Sequence, residues 1–329
     1  MRLSGVIGQP RAVAQLEAEA AAGRLAHAYM FVGPAGVGRG TLAQALFMAL
    51  NCERPAEGMA CGACGSCRRA LAGGHEDLIV LAPPSQAASS QIKVEALREA
   101  IRATVFAPFG GGWRMILIRR AEHLNPASAN ALLKTLEEPP PKNILVLTVQ
   151  DAQELLPTLV SRCRKVSLRP LAAELIAAEL ERRGEEPDAA RLKAGLAAGS
   201  LGRALELDAE QMRAGLSAWL GHLSGQGQAL EDWAFAEEQV GAFRGAAALD
   251  REGLCRALDL LALHFRDQAV RTAGREELAL LPAGVGLDLE AACAGFGGVR
   301  RAQGEILANA APELALVVMI ERLRQGAEN

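Results

Sequence analysis

Residues 28–50 read AYMFVGPAGVGRGTLAQALFMAL, and the parsing of this stretch decides the fold. Ala28–Val32 is an apolar run of strand length, residues 33–38 are rich in glycine, and Leu42, Ala45, Leu46 and Ala49 recur at helical spacing. Strand, glycine loop and helix in that order make a phosphate loop, and Gly33 and Gly38 have the required four residues between them. Such a loop works electrostatically: its N–H groups and the helix N-terminus aim partial positive charge at a polyphosphate. The stretch predicts an α/β, P-loop NTPase-like domain.

The two positions after Gly38 depart from the working pattern. Lys followed by Ser or Thr is expected, one for the β- and γ-phosphates and one for Mg²⁺; here they are Arg39 and Gly40. Thr41 supplies a hydroxyl one residue late, about 100° further around the helix. A guanidinium binds phosphate, but at a site fitted to Lys it is longer and forked. Gly33, Gly36, Gly38 and Arg39 are thus the candidates for any contact with ATP, in a loop whose hydrolytic function is expected to be lost.

Working outward, residues 10–22 read as a helix with proline in its first turn. After the loop helix come Cys52, Cys61, Cys64 and Cys67, spaced C-x8-C-x2-C-x2-C. The x2 spacings let neighbouring thiolates converge on one tetrahedral ion, so Zn²⁺ is expected in a closed structural site with no position for catalytic water. Residues 78–82 and 113–118 read as strands, 83–90 as a polar loop and 92–105 as an amphipathic helix. A phosphate-loop enzyme ends the second of these strands with an acidic pair that serves Mg²⁺ and the attacking water. This chain places Arg119 and Arg120 there, a second and independent loss. A helix starting at Pro126, a strand at 144–149, a helical turn at 155–160 and a strand at 164–168 follow. Strands alternating with helices imply a mostly parallel sheet.

Beyond residue 170 strand signals stop. Helices are expected at 171–183, 189–197 and 200–207, then at 209–222, 229–247, 251–272, 288–307 and 311–325, with breaks at 224–227, 273–284 and 296–298. The chain of 329 residues therefore divides into an α/β domain at 1–169, a small helical domain at 170–207 and an all-α domain at 208–329. A net charge of −3 gives no general attraction to nucleic acid. No apolar run approaches the ~20 residues of a membrane span, and the opening MRLSGVIGQP has no signal-peptide pattern, so a cytoplasmic protein with reduced thiols is expected.

ALLKTLEEPPP at residues 131–141, with Ser161-Arg162-Cys163 downstream and the four-cysteine insertion upstream, resembles the bacterial replicative clamp loader of DNA polymerase III, a branch of the AAA+ ATPases. The resemblance covers residues 5–169. It implies an AAA+ domain with a zinc insertion, a lid at 170–207 and an oligomerising collar at 208–329. Among the family's subunits, loss of the lysine and the acidic pair points to its stator position. The implied partners are the motor (gamma/tau) and delta subunits, with the sliding clamp and primed DNA in the context of the complex. Arg162 would then act in trans as an arginine finger on ATP held by a neighbouring motor subunit, a role worth about 10³–10⁵ in rate elsewhere. Sensor positions fall at Thr148 and in the turn at 199–203, where Arg203 is shifted by one and expected to be solvated. Two other readings compete: an active motor ATPase using Arg39 with Glu122, Glu137 or Glu138, and a zinc protein binding DNA through Arg68, Arg69, Arg119 and Arg120.

Overall fold

The computed structural model describes residues 3, 5–84, 90–225, 228–245, 248–281 and 286–327. Parts of the expected loop at 83–90 and of the expected breaks at 224–227 and 273–284 lie outside the described residues. Helix α1 (Pro10–Ala21) leads into β1 (Ala28–Val32), followed by α2 (Arg39–Asn51), α3 (Gly65–Leu71), β2 (Leu78–Leu81), α4 (Val94–Ala103) and β3 (Arg114–Ile118). Then come α5 (Pro126–Glu137), β4 (Asn143–Val149), α6 (Pro157–Val160), β5 (Arg164–Ser167), α7 (Ala173–Arg182), α8 (Pro187–Leu196) and α9 (Leu201–Glu206). The remainder is helical: α10 (Ala209–Leu223), α11 (Ala229–Gly241), α12 (Arg251–Thr272), α13 (Leu289–Leu307) and α14 (Pro312–Ala327).

The chain divides into two compact units, Met1–Glu179 with Ala197–Ala204, and Leu180–Leu196 with Leu205–Asn329. Residues of the expected 170–207 lid are thus shared between them. In the first unit the five strands form one parallel sheet in the order β2-β3-β4-β1-β5. Successive side chains of a strand point to opposite faces. Accordingly Tyr29 and Phe31 of β1 join Leu117, Val146 and Val166 in a core shared with Leu42, Leu46 and Phe47 of α2. Ala28 and Met30 face the other way, with Ile118 and Leu147, against Leu97 of α4, Leu132 and Leu136 of α5 and Leu159 of α6. Burial on both faces accounts for the unbroken apolar strands.

Parallel strands bring all carboxyl ends to one side. The chain crosses from β4 past β1 to β5, so β1 stands where the connection order reverses, and ligands of open α/β sheets bind outside the strands at such a point. The phosphate-loop stretch leaves from this position.

The second unit has its own core of Trp219, Leu258, Leu261, Phe265, Val299, Ile306, Leu316 and Ile320. Its charged centre is Asp232 on α11, which accepts from His222 Nε2 of α10 at 2.7 Å and from Arg324 Nη1 of α14 at 2.6 Å. Two expectations are corrected here. Residues 296–298 do not break the chain: α13 runs through them, and just before them Gly295 packs closely on α12, where a Cβ would lie 2.4 Å from the Phe265 ring. The helix expected at 229–247 stops at Gly241, followed by an antiparallel bridge between Arg244 and Leu249.

Candidate functional site

The phosphate loop is anchored on both sides of β1. Gly33 N donates to Val149 O of β4 at 3.2 Å, and Leu168 N, just past β5, donates to Val32 O at 2.7 Å. The helix begins at Arg39, earlier than its apolar spacing shows, because Gly38 caps it in a left-handed conformation (φ 101°) that favours glycine. Gly36 is also left-handed (φ 72°) and is packed by the turn at 199–203: its carbonyl accepts from Gly202 N at 3.1 Å, and a Cβ there would lie 2.0 Å from Ser200 Oγ. Arg203, expected in solvent, is half-buried, and its N–H donates to Ser200 Oγ at 3.0 Å.

The charges replacing the hydrolytic groups converge on this loop. Arg39 is 8% exposed, and its Nη1 is buried without a hydrogen-bond partner. Burial pulls the Arg39 pKa down, and the Glu122 and Glu154 carboxylates act against that fall. Both Glu122 oxygens, on the 3₁₀ turn after β3, are likewise buried without a partner, so the two charges influence each other without a hydrogen bond between them. A Cβ on Gly40 would lie 3.4 Å from Arg119 Nη2. A guanidinium therefore abuts the position where a Ser or Thr hydroxyl would present Mg²⁺. Arg120 is left-handed (φ 54°); its N–H donates to Thr148 Oγ1 at 3.1 Å, and its Nη2 lies 2.8 Å from His123 Nε2. Thr41 is exposed.

Cys52, Cys61, Cys64 and Cys67 come together with all four sulfurs within 4.8 Å of one another. A tetrahedron with Zn–S bonds of about 2.3 Å has sulfur–sulfur edges of about 3.8 Å, so the donor set fits zinc. The backbone supports it: Cys61 N donates to Cys52 Sγ at 3.2 Å, Cys64 N to Cys61 Sγ at 3.3 Å and Cys67 N to Cys64 Sγ at 3.4 Å. The last bond caps α3, a helix that the cysteine spacing alone did not reveal. Burial works to raise the Cys64 pKa, but hydrogen bonds from Cys67, Glu53 and Cys61 bring it down to about 6. Burial and the bond to Cys64 push Cys67 up to about 12. Cys64 and Cys67 are at most 1% exposed and belong to the core that holds Leu46 and Phe47.

Arg162 lies past α6, near Glu137 at the end of α5. Its Nη2 donates to Glu137 Oε1 at 2.8 Å and its Nη1 to Thr158 O at 3.1 Å, with the side chain 37% exposed. The cations proposed for DNA contact are partly engaged: Arg69 pairs with Glu76 at 3.4 Å and Arg120 with His123.

The family model described as "DNA polymerase III, delta subunit" matches residues 8–172, half of the chain. The chain belongs to this family. The delta subunit family match covers the sheet, the phosphate loop, the cysteine cluster and Arg162. Among curated relatives, the delta' subunit of DNA polymerase III from Pseudomonas aeruginosa is 42% identical over 138 residues, 42% of this chain and 42% of its own length. The delta' subunit from Escherichia coli is 37% identical over 194 residues, 59% of this chain and 58% of its own. The tau subunit from Salmonella typhimurium is 33% identical over 305 residues, 87% of this chain and 45% of its own. The chain thus spans about half the length of these relatives. Among the described residues no helix is long and apolar enough to cross a membrane.

For a delta subunit family member, sequence reasoning paired Arg39 with Glu122 only as substitute catalytic groups and missed two features: Arg119 over Gly40, and Glu137 beside Arg162. Each joins residues 25 or more positions apart whose charge types carry no partner information, so no local signal marks them.

Proposed function

We propose that this chain is the delta'-type stator of a DNA polymerase III clamp loader: it helps load the sliding clamp onto primed DNA without hydrolysing ATP itself. It would assemble with motor (gamma/tau) and delta subunits. The observation that carries this reading is the state of the phosphate-loop end. A working site needs a cation on the phosphates, a hydroxyl on Mg²⁺, an acid on Mg²⁺ and a second acid on water. Here the positions offer Arg39, Gly40, Arg119 and Arg120, and the guanidinium beside Gly40 opposes a divalent ion there. Gly33, Gly36, Gly38 and Arg39 keep the shape of a phosphate cradle, but the groups that aim water are gone.

The chemical contribution in this reading is made in trans. Arg162 would extend its guanidinium to the γ-phosphate of ATP on a neighbouring motor subunit and stabilise the charge that develops on transfer. Cys52, Cys61, Cys64 and Cys67 would hold one zinc ion, which cross-links the 52–67 segment to the core and takes no part in hydrolysis. The residues of 208–329 would form the collar and those of 170–207 the lid.

The test is the complex reconstituted with its motor and delta subunits. Arg162→Ala is expected to leave assembly intact and to depress DNA-stimulated ATPase; an unchanged rate refutes the finger. The buried Glu122 carboxylate gives the motor reading its one structural support. ATP turnover by the isolated chain, abolished by Glu122→Gln, would replace the stator reading with that one.

A further inference from the structure

If Arg162 acts in trans, its side chain must be ready before the neighbouring nucleotide arrives. A free arginine samples many rotamers, and ordering one long side chain weakens any interaction that depends on it. Here two acceptors from different elements hold the guanidinium: Glu137 Oε1 takes Nη2 at 2.8 Å, and Thr158 O takes Nη1 at 3.1 Å. Both elements are fixed from below, since Leu132 and Leu136 of α5 and Leu159 of α6 are buried in one core. Two acceptors fix the plane of a planar cation, and of its five N–H donors three remain for a phosphate. Exposure fits this use, with side chains 37% and 52% accessible for Arg162 and Glu137. An exposed ion pair adds little to folding stability, so ordering is what this contact supplies. The neighbouring Arg164 is held elsewhere, with Nε on Glu19 Oε1 at 2.9 Å, which leaves Glu137 to Arg162.

We propose that Glu137 is a positioning residue for Arg162, fixing the guanidinium so that its remaining donors meet a phosphate held by a neighbouring subunit. This rests on the reading of Arg162 as a trans finger. It predicts a loss in the chemical step: Glu137→Ala in the reconstituted complex lowers the kcat of DNA-stimulated ATPase about 3- to 10-fold, with KM unchanged. Glu137→Gln keeps an oxygen acceptor for Nη2 and recovers more than half of that loss. In an Arg162→Ala background Glu137→Ala has no further effect, because its only role acts through that arginine.

The experiment is steady-state ATPase of four complexes carrying the native chain, each single alanine variant and the double variant, with Glu137→Gln as the fifth and thermal unfolding as the check on folding. If Arg162→Ala lowers kcat and Glu137→Ala does not, the positioning role is overturned and the finger stands. An increase in kcat on Glu137→Ala overturns it equally, since the carboxylate would then hold the finger back. The same holds for a loss of equal size in the Arg162→Ala background. If Arg162→Ala itself changes nothing, the finger reading fails first, and the proposal falls with it.

Discussion

The isolated chain is predicted not to take up Mg·ATP, and the reason resides in one guanidinium. A hydroxyl on residue 40 would place Mg²⁺ about 2 Å beyond it, and Arg119 Nη2 lies 3.4 Å from the Cβ position of that residue. With the metal on the Arg119 side of that hydroxyl, the two cations would stand about 4 Å apart. At that distance two unit charges repel by about 1 kcal/mol in water and about 4 kcal/mol at a protein surface, and a divalent ion doubles both. Arg119 is exposed, so solvent screening keeps its cost to Mg²⁺ near the lower figure, about 2 kcal/mol or about thirty-fold in affinity at 1.36 kcal/mol per tenfold. Gly40 compounds this by offering no ligand. The perturbation is Gly40→Ser with Arg119→Asp, which replaces the repelling charge with an acid and adds the missing hydroxyl. Titration calorimetry with ATP, with and without Mg²⁺, should show no magnesium-dependent binding by the native chain and a magnesium-dependent gain in the double variant. Tight Mg·ATP binding by the native chain, with turnover, would refute the electrostatic argument and the stator reading together.

Two further outcomes follow from the structure. Replacing Cys61 and Cys64 by Ser should remove about one zinc per chain by elemental analysis and lower the unfolding temperature of the first unit, because structural zinc contributes directly to folding and Cys64 is packed in the core; unaltered thermal unfolding after loss of the metal would show that the cluster is dispensable. In the second unit, burial works to raise the Asp232 pKa, but Arg324 and His222 outweigh it and hold the carboxyl below its ordinary value. Its contribution to stability is therefore complete above the unfolded value near 3.9 and is lost as pH falls through the lower folded value. Denaturant unfolding followed from pH 5 to pH 2 should show this loss, and Asp232→Asn should flatten it; parallel curves for the two chains would exclude Asp232 as its source.

The order of elements was legible because the chain signals it locally. The apolar run at Ala28–Val32, the glycines that follow and the prolines at the starts of α1 and α5 act within a few residues of themselves. Where local signals have two meanings the reading failed. Gly297 and Gly298 read as a helix end, yet α13 continues through both, and Gly298 lies against Leu323 of α14. The cysteine spacing announced a metal site but not α3, whose cap is a sulfur of that site.

Sequence by itself determined which chemical groups are present and which are missing. Lysine, serine or threonine and the acidic pair are absent from their positions, four thiols stand at ligand spacing, and an arginine follows the LEEPP stretch. Only the tertiary structure decided what the substitutes touch. Arg39, a candidate phosphate contact in sequence, is 8% exposed and feels the Glu122 and Glu154 carboxylates; Arg119, a bare cation in sequence, abuts the phosphate-loop helix at Gly40. Arg162 is held by Glu137, 25 residues earlier. Spacing specifies partners along a helix or a strand, whereas a long charged side chain meets whatever the packing of distant elements brings within its reach.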